Sequence, residues 1–232
     1  MSILKPMTIQ CPGCGGVMEV RVYESINADR RPDLRAAILD GTLQVTTCPA
    51  CQEEFRIDPQ FNLLDMGRGQ WISVQPQTRM TEWLAEERRA VETFDLAYGK
   101  RASPSAREVG DTLAVRLVFG WPALREKLLL SDAGLDDATV ELAKLALLRD
   151  HGGAHVATGD ELRLTGSNDG DLLFAWTAPL SGDITGGLTV PRTLIDEIAA
   201  EPGPWAEIRT DLTAGPFVDM QKMFVGEGKE AA

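Results

Sequence analysis

The chain has 232 residues, of which 44% are hydrophobic and 25% are charged, a balance typical of a globular protein and unlike that of disordered or fibrous chains. Its net charge of -12 lies mostly in residues 76–232, which contain 26 Asp and Glu against 16 Lys and Arg, so neither nucleic acid nor an acidic membrane is expected as a partner. Neither an apolar run of about 18 residues nor a signal peptide is visible, which predicts a cytoplasmic protein without a membrane span.

The N-terminal third is predicted to be rich in strands. Apolar and charged residues alternate over 17–23, which favours a half-buried strand. A short helix is predicted over 32–39, because Pro32 fits a first helical turn and Gly41 follows as a stop. Further strands and turns are predicted over 43–47, 54–58, 61–65 and 70–74.

The rest of the chain mixes helical and strand patterns. Trp83, Leu84, Val91 and Phe94 recur at helical spacing, which predicts an amphipathic helix over 80–98. Residues 99–106 are predicted to form a loop, and the apolar segment 113–119 fits either a strand or a helix. Further helices are predicted over 122–130, 133–148 and 191–200, and strands over 161–165, 172–176 and 187–190.

The four cysteines form two Cys-Pro-x-Cys turns, with 33 residues between the pairs. A tetrahedral metal ion needs four soft donors, and Cys11, Cys14, Cys48 and Cys51 supply four with none left over. A strand, a helix and a second strand between the pairs would return the second turn to the first. We therefore predict one structural metal site, with Zn²⁺ as the expected ion and no open position for catalysis.

Three other interpretations of the cysteines remain open. Four sulfurs in such turns also hold iron in rubredoxin-like sites, although the aromatic shell here is thin. Dithiol redox chemistry usually needs a Cys-x-x-Cys at the start of a helix, whereas Cys14 is followed by Gly15 and Gly16. The third interpretation is four buried thiols without a ligand, which the duplicated spacing disfavours.

The N-terminal part resembles the CpXC domain family of bacterial and archaeal proteins. The similarity covers about residues 8–76, and segments within 124–144 resemble a region that often follows this domain. The resemblance implies metal binding by the four cysteines and implies no activity. The residues that carry it are Cys11-Pro12-Gly13-Cys14, Cys48-Pro49-Ala50-Cys51, Glu24–Asn27, Pro32, Leu34, Phe55, Leu64, Asp65, Leu124–Lys127, Gly134–Asp137, Glu141, Leu142 and Lys144.

Other reactive residues have simpler explanations. His151 and His155 are too few to hold a metal alone. The pairs Glu126–Lys127 and Asp136–Asp137 are interpreted as a charged helix face with an acidic first turn. No nucleophile triad, phosphate loop or dinucleotide fingerprint is visible, so no catalytic or cofactor-binding residue is predicted. The five tryptophans are interpreted as core residues: Trp71, Trp83, Trp121, Trp176 and Trp205.

These observations predict an α+β protein in three parts. Residues 1–76 are expected to form a small β-rich domain of the zinc-ribbon type, residues 77–103 a helical connector, and residues 104–232 an acidic α+β domain. The first functional hypothesis is a zinc-stabilised, non-enzymatic module that binds another protein. The second is an enzyme or small-ligand-binding protein with its pocket in the C-terminal region, and a third is regulation by oxidation or metal loss.

Overall fold

A computed structural model describes residues 2–58, 60–150, 159–168 and 170–226 of the chain. Helices and strands are mixed along the sequence, and strands dominate the N-terminal region that contains the four cysteines. The predicted α+β class is therefore confirmed, and no sheet within these ranges closes into a barrel. No helix in the described part of the chain is long and apolar enough to cross a membrane.

The first half of the chain builds a five-stranded sheet. Its strands follow the order β1-β2-β5-β6-β7, in which β2–β5 and β6–β7 are parallel pairs and the others are antiparallel. Strands β3 and β4 form a separate antiparallel hairpin. The bounds are β1 (Ile3–Gln10), β2 (Val17–Asn27), β3 (Val45–Thr47), β4 (Glu54–Arg56), β5 (Phe61–Asp65), β6 (Gln70–Gln75) and β7 (Ala114–Phe119).

Helices cover both faces of this sheet. On one face, Ile38 and Leu124 pack with Leu63, Ile72 and Val118 in one apolar cluster. The other face has apolar clusters of its own, in which α2 meets the sheet through Trp83 and Ala90. This two-sided burial explains why β6 is buried along nearly its whole length. The helices are α1 (Pro32–Leu39), α2 (Trp83–Ala97), α3 (Pro104–Gly110) and α4 (Gly120–Asp132).

The last third adds a second sheet with its own core. Strands β8, β9 and β10 pair antiparallel in the order β10-β9-β8, and β8 lies beside α4. Apolar residues of the sheet pack with those of the surrounding helices in a single cluster. The bounds are α5 (Asp137–Asp150), β8 (Glu161–Asn168), β9 (Asp171–Thr177), β10 (Ile184–Pro191), α6 (Arg192–Ala200), α7 (Ala206–Leu212) and α8 (Lys222–Val225).

Most predicted elements are present, and the differences have physical reasons. Strand β1 was not predicted, because as an edge strand it is exposed on both faces and lacks a regular apolar pattern. Helix α5 starts four residues later than expected, since Gly134 adopts a left-handed backbone (φ 62°) and the Asp136 side chain caps the amide of Thr139 (3.0 Å). The expected loop over 99–106 gives way to α3 at Pro104.

The sheet of the N-terminal region extends beyond residue 76. Strand β7 pairs with β6 over six residues, from Gln70–Ala114 to Gln75–Phe119, so residues on both sides of the expected connector share one sheet. Val118 of β7 and Ile72 of β6 also belong to one apolar cluster. The division into 1–76, 77–103 and 104–232 stays a prediction about which parts fold independently.

Candidate metal centre and buried ion cluster

Each cysteine pair lies in a tight turn at the tip of a hairpin. Cys11 and Cys14 connect β1 to β2, and Cys48 and Cys51 connect β3 to β4. In both turns the first cysteine donates its amide to the carbonyl five residues later and accepts from the amide four residues later. These bonds are Cys11 to Gly16 (2.9 Å), Gly15 to Cys11 (2.9 Å), Cys48 to Glu53 (2.8 Å) and Gln52 to Cys48 (2.9 Å).

The residue after the second cysteine adopts a left-handed backbone in both turns. Gly15 does so with φ 70°, where glycine meets no steric penalty. Gln52 occupies the matching position with φ 64°, a conformation that side chains with a Cβ rarely adopt. The two turns are therefore built alike, although only one contains the residue that suits this backbone.

The two hairpins bring all four sulfurs together. Their Sγ atoms lie within 4.8 Å of one another, with Cys11 and Cys51 3.6 Å apart and Cys14 and Cys48 3.8 Å apart. A tetrahedral ion with bonds of about 2.3 Å would separate its sulfurs by about 3.8 Å. A disulfide needs about 2.05 Å, so all four cysteines are free thiols with the spacing of a metal-binding cluster.

The backbone of the second turn also favours a thiolate. The amides of Cys51 and Ala50 point towards the Cys48 sulfur and lower the pKa of its thiol to about 7. The amide of Glu53 has the same effect on Cys51, but burial and the other three sulfurs outweigh it and raise the pKa of Cys51 to about 12. Four crowded sulfurs thus resist losing all their protons unless a cation joins them.

Few side chains other than the cysteines hold the hairpin tips. Within residues 2–21 Cys11 alone is buried, and within residues 44–56 Cys48 alone is buried, at 2% and 1% exposure. The second cysteine of each pair, Cys14 or Cys51, is exposed. At the hairpin tips, the four-sulfur cluster therefore provides the stabilisation that an apolar core would otherwise have to supply.

Two further predictions about metal and thiol chemistry have different outcomes. The cysteines open no helix, because the segments that follow them are turns and then strands, so the helix dipole that activates a redox thiol is missing. His151 and His155 lie outside the described residues. In the described part of the chain, the four cysteines form the one group of possible ligand side chains close enough together to bind a metal ion.

The interpretation of Glu126 and Lys127 as an exposed charged helix face is wrong, whereas Asp137 does lie in the acidic first turn expected of α5. Glu126 and Lys127 are buried in the side of α4 that faces α5 and β8, at 0% and 1% exposure, and the Asp137 side chain is only 11% exposed. Asp136 does fit the expected acidic first turn, because it caps Thr139 and pairs with Arg209 (2.7 Å) at the surface. The helix was predicted correctly from its periodicity, but periodicity alone does not show which face of α4 is buried by other elements.

These residues belong to a cluster of buried ions between α4, α5 and β8. Lys144 lies 2.7 Å from Glu126 and 3.0 Å from Glu141. Arg163 of β8 pairs with Glu126 (2.9 Å), with Glu161 (2.6 Å) and with Asp219 of the C-terminal segment. The sequence analysis missed Arg163, Glu161 and Asp219, and no local pattern would have connected residues so far apart.

A second branch of the cluster reaches the surface through α5. Lys127 donates to Oδ2 of Asp137 (3.0 Å) and to the carbonyl of Val218. Arg116 of β7 binds both oxygens of the same carboxylate, from Nε to Oδ2 (2.6 Å) and from Nη2 to Oδ1 (3.0 Å). Burial alone would raise the pKa of Asp137, but Lys127 and Arg116 hold it far below its usual range. The branch joins β7, α4, α5 and the chain after α7 into one ionic network.

The cluster contains one more carboxylate than cations. Its carboxylates are Glu126, Asp137, Glu141, Glu161 and Asp219, and its cations are Arg116, Lys127, Lys144 and Arg163. Burial raises the pKa of Glu141 to about 7, and although Lys144 opposes this shift, Asp219 and Glu126 add to it. A proton on Glu141 would balance the charges. Because most of these groups are buried, the cluster joins structural elements of the fold.

The tryptophans lie in or against the core, as predicted. Trp71, Trp83 and Trp176 are buried at 3%, 8% and 8% exposure. Trp121 and Trp205 are partly buried against the apolar clusters.

Fold and site together define an α+β protein in which two hairpins bring two Cys-Pro-x-Cys turns into one four-sulfur cluster. A family model described as CpXC protein matches residues 9–144, which is more than half of the chain. The chain therefore belongs to the CpXC family. The match includes both cysteine pairs and also the buried residues Glu126, Lys127, Glu141 and Lys144. Comparisons with curated proteins and with solved structures found no match.

Proposed function

We propose that the protein is a zinc-stabilised, non-enzymatic binding module in which Cys11, Cys14, Cys48 and Cys51 hold one structural Zn²⁺. The observation that carries this proposal is the spacing of the four sulfurs, which matches the edges of a tetrahedral thiolate site. Four protein ligands complete the coordination of Zn²⁺ and leave no position for water, so the ion stabilises the fold and does not activate a substrate.

We propose zinc and not iron because of the residues that surround the four sulfurs. Four thiolates suit either ion. A redox-active iron needs a shell that controls solvent access and potential. Here Cys14 and Cys51 are exposed, and Cys11 and Cys48 are the only buried residues within 2–21 and 44–56. Zn²⁺ has no redox chemistry to protect, so a thin shell suffices.

We propose a protein as the partner because of the apolar surface on the same hairpins. Leu4, Met7 and Val17 on the first hairpin are 38%, 38% and 70% exposed, and Val45 on the second is 39% exposed. The strand pairing places Leu4 and Val17 on one face of the first hairpin and Met7 on the other, so we expect the partner to contact both faces. The metal would fix the two hairpins in the arrangement that a partner meets.

Metal content gives the direct test of the first part. Native mass spectrometry with elemental analysis should find one Zn²⁺ per chain of the protein as purified, and none in the variant with all four cysteines replaced by serine. Iron in place of zinc after growth with both metals would overturn the choice of ion. One equivalent of zinc retained by the quadruple variant would refute the site itself.

Cross-linking in the source cell tests the second part. The Met7→Ser/Val17→Ser variant should keep its zinc and lose partners that the unaltered protein captures. The matched control is Val91→Ser on α2, which removes an apolar side chain of similar exposure (44%) away from the hairpins. Identical partners for both variants would contradict the proposed surface.

A further inference from the structure

A cavity of about 360 Å³ lies between the second cysteine hairpin, the start of α4 and the three-stranded sheet. Arg56 and Asp58, which follow Cys51 closely in the chain, form one wall. Trp121, Pro122 and Arg125 of α4 form another, and the turn between β9 and β10 closes the third side. The cavity is separate from the sulfur cluster. Most of its lining lies in the C-terminal region, where the second hypothesis placed a pocket, but the contribution of Arg56 and Asp58 was not anticipated from the sequence.

Two arginines of the cavity, Arg56 and Arg125, form no direct ion pair with a described carboxylate. The Arg56 guanidinium stacks 3.7 Å from the centre of the Trp121 ring and donates from Nε to the Leu43 carbonyl (2.9 Å), while its Nη2 is buried without a hydrogen-bond partner. In the described part of the chain, neither Arg56 nor Arg125 forms an ion pair. Burial lowers the pKa of Arg56 to about 10; the nearby Asp58 opposes this shift and Arg125 adds to it.

The anionic side is equally incomplete. Asp58 accepts from the backbone amide of Gln77 through Oδ2 (2.9 Å), while Oδ1 is buried with no hydrogen-bond partner. Buried polar atoms without partners are rare in folded proteins and indicate a missing ligand or water.

The charges of the walls set the class of ligand. Arg56, Arg125, Asp40 and Asp58 all line the cavity, and together these four side chains carry no net charge. Arg163 on the cavity wall is already neutralised by its ion partners. A simple anion would meet two carboxylates and a simple cation would meet two guanidinium groups. A zwitterion can satisfy both sides, and guanidinium groups bind carboxylates especially well.

Apolar side chains complete the recognition surface. Pro122, Leu180 and Ile184 line the cavity, and Leu180 and Ile184 are 77% and 66% exposed. Ligand pockets are lined mainly by apolar side chains, and these three belong to the lining. They offer a place for an aliphatic group of the ligand.

The polar walls are held in place by the fold. The Trp121 indole donates to the Ile57 carbonyl (3.1 Å), which fixes the ring under Arg56. Gly120 has φ 73° and lies so close to Gln77 that an added Cβ would sit 2.8 Å from Oε1. A site whose groups are positioned before binding loses less entropy when the ligand enters.

We propose that this cavity binds a free α-amino acid with an aliphatic side chain. Arg56 and Arg125 take its carboxylate, Asp58 takes its ammonium group, and Pro122, Leu180 and Ile184 contact its side chain. This site is additional to the proposed metal centre, and because Arg56 and Asp58 extend from the hairpin of Cys51, the cluster would support one of its walls.

NMR titration of the full-length protein, as purified, tests the proposal with three probes of one shape. L-Leucine has both charges, 4-methylpentanoate lacks the ammonium group and 3-methylbutylamine lacks the carboxylate. Leucine should shift the Trp121 indole and Arg56 Nε signals saturably, with an affinity at least about tenfold above either analogue. Absence of saturable shifts at about 10 mM leucine would overturn the proposal.

Two variants separate the roles of the charges. Arg125→Ala should weaken leucine binding about tenfold, whereas Arg107→Ala, which removes an exposed arginine of α3, should leave it unchanged. Asp58→Asn should reduce leucine binding to the level of 4-methylpentanoate without weakening the latter. Equal binding of leucine and 4-methylpentanoate by the unaltered protein would show an anion site and refute the zwitterion.

Discussion

The hairpin tips and the rest of the protein, which we call the body, are stabilised by different interactions. The tips, residues 2–21 and 44–56, bury one cysteine each and depend on the four-sulfur cluster. The body buries apolar clusters and, between them, a network of ions that includes Arg163 and Lys144 at 2% and 0% side-chain exposure. A metal site can replace a core where the chain is short, whereas buried charges are tolerated only where a core already surrounds them.

The largest expected effect is the loss of the metal ligands. Cys14→Ser or Cys48→Ser should abolish zinc binding and unfold the hairpin tips, since a structural Zn²⁺ in small modules contributes on the order of 10 kcal/mol to folding. Amide signals of 2–21 and 44–56 should collapse, while those of β5, β6 and α4 persist because they share an apolar cluster. Cooperative loss of the whole body would show that the two regions are not separable in this way. A strong chelator added to the unaltered protein should reproduce the effect.

The next effect concerns the ion cluster. Arg163→Met leaves Glu126, Glu161 and Asp219 without a shared partner, so the free energy of unfolding should fall by about 3–5 kcal/mol. Zinc content should remain at one per chain. The control Arg107→Met alters an exposed arginine and should change stability by less than about 0.5 kcal/mol. Denaturant unfolding measures both, and equal values for the two variants would refute a structural role for the cluster.

Stability of the body should also depend on pH through Glu141. Because the folded protein raises the pKa of this group to about 7, the folded state holds a proton that the unfolded chain releases near its usual pKa of 4.5. The contribution of the group is complete below pH 4.5, so stability should fall as pH rises from there towards 7. Glu141→Gln should flatten this slope, and Glu197→Gln on the surface of α6 should not. A slope unchanged in Glu141→Gln would assign the proton to another group.

The smallest effect compares the two cysteine turns. Gln52→Gly should relieve the left-handed strain of the second turn and stabilise the metal-bound hairpin by up to about 1 kcal/mol after the entropic loss of glycine. Gly15→Ala should destabilise the first turn by about 1 kcal/mol, although its Cβ would meet no neighbour. Zinc affinity measured by chelator competition should rise in the first variant and fall in the second. Changes of the same sign would show that the two turns are not equivalent.

Local patterns in the sequence were sufficient for much of the N-terminal region. The duplicated Cys-Pro-x-Cys turns predicted the sulfur cluster, because a turn of four residues is determined by its own proline, glycine and cysteine positions. The helix over 32–39 was predicted with its correct ends, since Pro32 and Gly41 act within one turn of the helix. Strand β1 was not predicted, because an edge strand exposed on both faces has no alternation of apolar and polar residues.

Alone, then, the sequence determined the α+β class, the position of most elements, and the four cysteines that come together. Tertiary structure decided that β7 joins the N-terminal sheet, that Glu126 and Lys127 point inward, and that Arg56 and Arg125 line one cavity. The physical reason is the sequence separation of the residues that interact. Turns, helix caps and amphipathic periodicity depend on residues a few positions apart. Burial of a charge depends on partners such as Arg163 and Asp219, which only the complete fold brings to Glu126.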